Sequence, residues 1–190
     1  PGHQPRLLTS VALHDGMEVT YVMEGTVNGA GSALAWIGEQ FGLVHVEQSL
    51  ADWLARPEEP PLFLNGIAGL GSPFWQPEFA SRFVGEGEAW QKVVAVAESI
   101  VFLLQANLDE MNRLASPFEQ LFVTGGLSAV DALCQRLADL SGRAVYRPVE
   151  HEATARGTAF LLAGQPAEWP EAEFGAWFRP RANTKLTETE

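Results

Sequence analysis

Two adjacent glycines, Gly125 and Gly126, separate a short apolar strand from an amphipathic helix in the run Leu121-Phe-Val-Thr-Gly-Gly-Leu-Ser-Ala-Val-Asp131. Glycine lets a ligand approach the backbone with no Cβ in the way, and the N–H groups of the helix's first turn point at whatever lies above the strand end. A phosphate suits both features, so the segment reads as a nucleotide site, although a tight strand-to-helix turn also calls for glycine on steric grounds alone. Ser128 and Asp131 follow as Ser-x-x-Asp, the spacing of a capping box in which each side chain satisfies an unpaired helix N–H. Capping explains both without a ligand, and a cap can also hold either side chain near a nucleotide. The remaining chemistry-bearing residues form no second constellation. His3, His14, His45 and His151 have no ligand spacing with one another or with Cys134, so no structural metal is expected. Glu152 suits the positive end of the helix it precedes better than it suits a general base. Arg156, one turn into that helix, reads as a solvated or ion-paired arginine. Phe74 and Trp75 are expected to pack against a sheet.

The elements that must position the glycine turn follow from periodicity. Leu7–Leu13 and Val19–Met23 are β-rich runs joined at His14-Asp15-Gly16, a hairpin signal. Ala33, Leu34, Ile37 and Phe41 recur at helical intervals before Gly42, and Val46–Leu54 reads as a second helix ended by Pro57-Glu-Glu-Pro-Pro61. A strand Leu62–Leu64 leads into Asn65–Trp75, which holds too many breakers for regular structure. Glu88–Leu114 carries one broad apolar stripe and predicts the central core helix. After the glycine turn, Val130, Leu133, Cys134, Leu137 and Leu140 share a helix face, which makes Cys134 a packing residue. Ala144–Arg147 is a further strand, and Ala153–Leu162 a helix whose small residues permit close approach to a neighbour. Strand and helix alternating after an antiparallel hairpin imply an α/β domain, a mixed sheet with helices on its faces, over residues 1–178. Residues 179–190 read as a polar, disordered tail.

Composition narrows the function classes. At 190 residues and 46% hydrophobic, the chain can bury one sizeable core. A net charge of −12, from 24 acidic and 12 basic residues, argues against nucleic acid and anionic lipid as partners. A lone cysteine, no apolar stretch near the ~20 residues of a membrane span and no signal-like start together suggest a cytoplasmic protein. No Gly-x-Gly-x-x-Gly follows a strand, which sets aside a dinucleotide-binding dehydrogenase.

Four segments in order carry a family resemblance: Tyr21-Val-Met-Glu-Gly-Thr-Val-Asn-Gly-Ala-Gly31 leading to Trp36; Gly69-Leu-Gly-Ser-Pro-Phe-Trp75; Gly125-Gly-Leu-Ser128; and Glu152-Ala-Thr-Ala-Arg-Gly-Thr-Ala159 with Leu162-Ala-Gly164. With the ending Trp177-Phe-Arg-Pro180, the chain resembles the C-terminal domain of the FGGY carbohydrate kinases over nearly its whole length. The resemblance implies an actin-like, ribonuclease-H-like fold and transfer of the ATP γ-phosphoryl to a sugar or polyol hydroxyl. It implies Gly125 and Gly126 against the ATP, with Asp131 where glycerol kinases carry an asparagine facing adenine. A carboxylate can only accept hydrogen bonds there, so that contact is altered. Either Gly85 or Gly87 falls near the family's other nucleotide-contacting glycine.

The family's Asp-x-Gly-Thr and Gly-Thr-Gly phosphate loops and its catalytic aspartate precede the opening hairpin, and none occurs in these 190 residues. An N-terminal kinase lobe is therefore an implied partner, with Mg²⁺ held by that lobe and the bound phosphates. Alone, the chain is expected to bind ATP weakly, to transfer nothing, and to self-associate as a homo-oligomer through the face a kinase turns to its other lobe. The competing reading is a non-catalytic nucleotide-sensing or assembly module of the same fold, with a polar surface there.

Overall fold

A computed structural model describes residues 5–14, 16–115 and 118–181. The chain divides into two compact units, Pro1–Pro117 and Phe118–Glu190. His3, Asp15 of the expected hairpin turn, and residues 182–190 of the expected tail lie outside the described residues.

The first unit opens on the expected hairpin, β1 (Leu8–His14) against β2 (Val19–Glu24), whose register slips between Val11 and Leu13. Helix α1 (Ala30–Phe41) ends at Gly42 in the left-handed region, and α2 (Val46–Leu54) follows. Strands β3 (Leu62–Leu64) and β4 (Arg82–Val84) pair antiparallel and lead into α3 (Ala89–Leu114). The start of α3 is fixed by a reciprocal box: Glu88 and Gln91 each accept at the other's backbone, the Glu88 N–H reaching Gln91 Oε1 at 2.8 Å. By length and composition α3 is apolar enough to cross a membrane, with a mean hydropathy of 1.3 over its most apolar stretch. Here it forms the unit's core instead. Val93, Val94, Val96, Ala97 and Ile100 are buried, and the helix packs on α1, α2 and β3.

The glycine-rich loop is stapled to α3 by buried polar groups. Asn65 Nδ2 donates to Ser99 Oγ at 3.1 Å and Ser72 Oγ to Asn107 Oδ1 at 2.7 Å, while Ser72 Oγ also accepts from the Thr26 N–H at 2.5 Å. Gly66 is required by proximity: a Cβ there would sit 2.1 Å from the Phe79 carbonyl oxygen. The expectation that Phe74 and Trp75 pack inward is corrected. They are 43% and 40% exposed, because the backbone pairing of Leu70 with Gln76 swings the tip outward and the Trp75 indole N–H donates to the Arg6 carbonyl at 3.1 Å.

In the second unit β5 (Gln120–Phe122) runs parallel to β6 (Ala144–Pro148), and β7 (Phe174–Phe178) runs antiparallel to β6. Helix α4 (Asp131–Ser141) packs on β6 and β7. The mixed sheet is thus realised here, whereas the other described strands form two separate two-stranded sheets. Helix α5 (Ala153–Leu162) has no buried residue, so the close approach its small residues permit is not used within the unit.

Candidate functional site: the glycine turn between β5 and α4

Beyond β5 the backbone keeps close to β6. The Val123 N–H donates to the Tyr146 carbonyl and the Gly125 N–H to the His151 carbonyl, both at 2.8 Å. Gly125, at φ 85 and ψ 173, lies in a region that essentially only glycine enters, and Gly126–Ala129 then winds as a 3-10 turn. The two glycines differ in what they require. Gly126 has no positive φ, and a Cβ on either glycine would meet nothing within 4 Å. Gly125 is explained by the turn; Gly126 is explained neither by backbone conformation nor by any packed neighbour.

The expected capping box does not form. The N-cap of α4 is Val130, which puts Ser128 inside the preceding turn and Asp131 at the first helical position. The Ser128 hydroxyl donates instead to the Gly125 carbonyl at 2.7 Å, parallel to its own N–H at 3.0 Å, and is buried there. The Asp131 carboxylate accepts from Arg147 Nη1 at 2.7 Å. That same nitrogen donates to the Ser128 carbonyl at 2.6 Å, and the guanidinium stands 5.5 Å from the Phe178 ring centroid. Cys134, buried as expected, also donates to the Ser128 carbonyl, with Sγ at 3.2 Å. Burial pushes its thiol pKa up, against the opposing pull of Arg147, so it stays a protonated donor. Sequence spacing did not single out Arg147. What brings it here is the parallel pairing of Phe122 with Tyr146, which sets the next residue of β6 beside the turn.

Gly85 and Gly87 belong to the first unit. Gly85 has φ 96, and a Cβ on Gly87 would lie 2.9 Å from Pro61 Cδ, so local structure accounts for both. Glu152 is the N-cap residue of α5 but makes no side-chain cap; its carboxylate lies 4.0 Å from His151 Nε2. Arg156 donates to the Pro170 carbonyl and stands over the Trp169 ring.

The far end of α4 is latched to the last described residues. Asp139, whose carboxylate is fully buried, accepts from Arg181 Nη2 at 2.6 Å and from the Arg181 N–H at 2.8 Å, and Gln135 Nε2 adds a bond at 2.9 Å. Burial raises the Asp139 pKa, but the hydrogen bonds from Arg181 and Gln135 outweigh it and leave the group below its ordinary value. The stabilisation is therefore complete above the unfolded-state pKa and is lost as pH falls through the lower folded-state value. Acid titration of the unfolding free energy should show a loss below about pH 4 that Asp139→Asn removes. At neutral pH, Arg181→Met should cost about 3 kcal/mol because it leaves the carboxylate buried without its cation. Asp139→Asn should cost about 1–2 kcal/mol, since Arg181 is exposed enough to be solvated. Urea unfolding of both variants checks the order.

A strand, a glycine turn and a helix on a mixed sheet define an α/β domain. Residues 6–164 match the model of the FGGY family of carbohydrate kinases, C-terminal domain, and the chain belongs to that family. It is 36% identical over 165 residues to a glycerol kinase of Alkalilimnicola ehrlichii, covering 83% of this chain and 33% of that one. To a glycerol kinase of Shewanella amazonensis it is 33% identical over 165 residues, covering 82% and 32%. The chain thus spans about a third of the length of the curated relatives it matches. The fold is that of the actin-like ATPases and matches solved members. The structure of Plasmodium falciparum glycerol kinase with ADP superposes with TM-score 0.78 at 21% identity, over 92% of this chain and 38% of that one. Ligand-bound xylulose kinase from Lactobacillus acidophilus gives 0.73 at 19%, over 95% and 39%.

Proposed function

We propose that this chain is the ATP-binding domain of a cytoplasmic sugar or polyol kinase, with the nucleotide passing over Gly125 and Gly126. The observation that carries the reading is the open space at Gly126. A glycine needed neither for its φ nor for a packed neighbour is what a site requires where ligand, rather than protein, occupies the Cβ position. Ser128 and Asp131 shape the turn through the bonds described above. Gly85 and Gly87 are the candidates for a second nucleotide contact and carry less weight, since each is explained locally. The glycerol kinase relatives tilt the acceptor toward a polyol.

Among the described residues no group of three or more His, Cys, Asp or Glu is arranged to hold a metal ion. The Asp131 carboxylate is already engaged by Arg147. In a complete kinase, Mg²⁺ would be held by the nucleotide phosphates and by carboxylates of the other lobe. What this domain supplies is binding and orientation; base, cation and closure of the cleft come from the other lobe. Mg-ATP titrated calorimetrically into the chain should give weak binding, with a Kd on the order of 0.1–1 mM. A coupled assay over a polyol panel should give no turnover; turnover by the chain alone would overturn the two-lobe reading.

The exposed apolar surface separates this reading from a standalone nucleotide-sensing or assembly module. Phe122, Val149, Leu162 and Trp177 of the second unit are each more than half exposed, and Phe122 and Trp177 flank Tyr146 on the sheet, apolar surface of the kind a partner covers. Size-exclusion chromatography should show concentration-dependent self-association; a monomer at all concentrations would favour the module.

A further inference from the structure

We infer that Arg147 is the positioning residue of the nucleotide turn, holding Gly125–Ser128 in the shape that presents it to a ligand; this rests on the nucleotide reading above. The turn's other side-chain support is the Cys134 thiol, a weak donor 3.2 Å from the same Ser128 carbonyl. Apart from the chain neighbours, nothing lies within 4 Å of where a Cβ would sit on Gly125 or Gly126, so hydrogen bonds rather than side-chain packing at these positions fix the glycine pair. Those bonds form a chain with two anchors on one stretch of backbone. His151 O takes the Gly125 N–H, Gly125 O takes the Ser128 N–H and hydroxyl, and Ser128 O takes Arg147 Nη1.

Arg147 is built for a fixed position. Its side chain is only 18% exposed, lies over the Phe178 ring, and has its charge balanced by the Asp131 carboxylate at 2.7 Å. Its Nη1 is committed to the Ser128 carbonyl and the Asp131 carboxylate. Arg147 acts on the nucleotide through the turn, and Asp131 acts through Arg147.

Two measurements on the full chain test this: amide hydrogen exchange at Gly125–Ser128 without nucleotide, and calorimetric titration with Mg-ATP. Arg147→Met should speed exchange at Ser128 about tenfold and weaken Mg-ATP binding by a similar factor. Arg147→Lys, whose ammonium can donate to both oxygens, should restore most of both. Asp131→Asn, which takes the counter-charge from Arg147, should speed exchange at Ser128 by a few-fold without nucleotide, and together with Arg147→Lys it carries the test should Arg147→Met fail to fold. Unchanged exchange in Arg147→Met would overturn the assignment. So would exchange at Ser128 that Asp131→Asn leaves unchanged, because Asp131 is argued to act through Arg147. If the native chain binds no Mg-ATP, the nucleotide reading fails, and the exchange data alone decide whether Arg147 sets the turn.

Discussion

Gly126→Trp is expected to abolish measurable Mg-ATP binding, a loss of more than about tenfold, while moving the unfolding midpoint by no more than about 2 °C. The two halves of that result come from the same geometry. Gly126 is exposed at the start of a 3-10 turn with no positive φ, so an L-residue adopts its conformation without the strain that glycine relieves elsewhere. Beyond its chain neighbours its Cβ would meet nothing within 4 Å, so a side chain leaves the exposed backbone unobstructed. On the proposed function, the space it fills is the space the nucleotide would occupy. Gly126→Ala should give a smaller loss of affinity at unchanged stability. Gly125 is a poor position for the same test, because at φ 85 and ψ 173 any side chain strains the backbone and perturbs fold and binding together. Calorimetry and thermal unfolding on the same samples check the prediction; native affinity in Gly126→Trp would remove the nucleotide from this turn.

The opposite behaviour is expected of a glycine chosen by packing. Gly66→Ala should destabilise the first unit by about 3 kcal/mol, at the upper end of overpacking penalties. The added methyl would lie 2.1 Å from the Phe79 carbonyl oxygen and 2.9 Å from its carbon. A backbone neighbour cannot rotate away, so the loop itself must shift. It is held by the Gly66 N–H on Ser81 Oγ at 2.9 Å and by the buried bond of Asn65 to Ser99 at 3.1 Å, and relief of the clash therefore strains both. Urea unfolding measures the change, and a loss under about 1 kcal/mol would show that the loop yields more easily than these bonds imply.

These two glycines also mark what the sequence can and cannot disclose. Both sit in glycine-rich segments after short strands, and nothing in the spacing tells a packed glycine from an open one; only the three-dimensional neighbours do. The long periodic segments were legible because an apolar stripe and its cap are local features, as α3 with Glu88 and Gln91 and α1 with Gly42 show. The strands β4 and β7 were not. Arg82–Val84 is too short to alternate, and Phe174–Phe178 carries a glycine and has meaning only as a partner of β6. The capping box was misread because the segment after Gly126 begins as a 3-10 turn, which delays the helix to Asp131 and leaves Ser128 inside the turn. Arg147 was invisible for a related reason: its partners Ser128 and Asp131 lie 19 and 16 residues earlier, and parallel strand pairing alone brings them together.

The most direct test of the central claim is to map where Mg-ATP lands, by titrating it into the isotopically labelled chain and following backbone amide resonances. The account predicts that the largest shifts fall on Gly125, Gly126, Leu127 and Ser128. Shifts concentrated elsewhere, with these four amides unmoved at saturation, would contradict it.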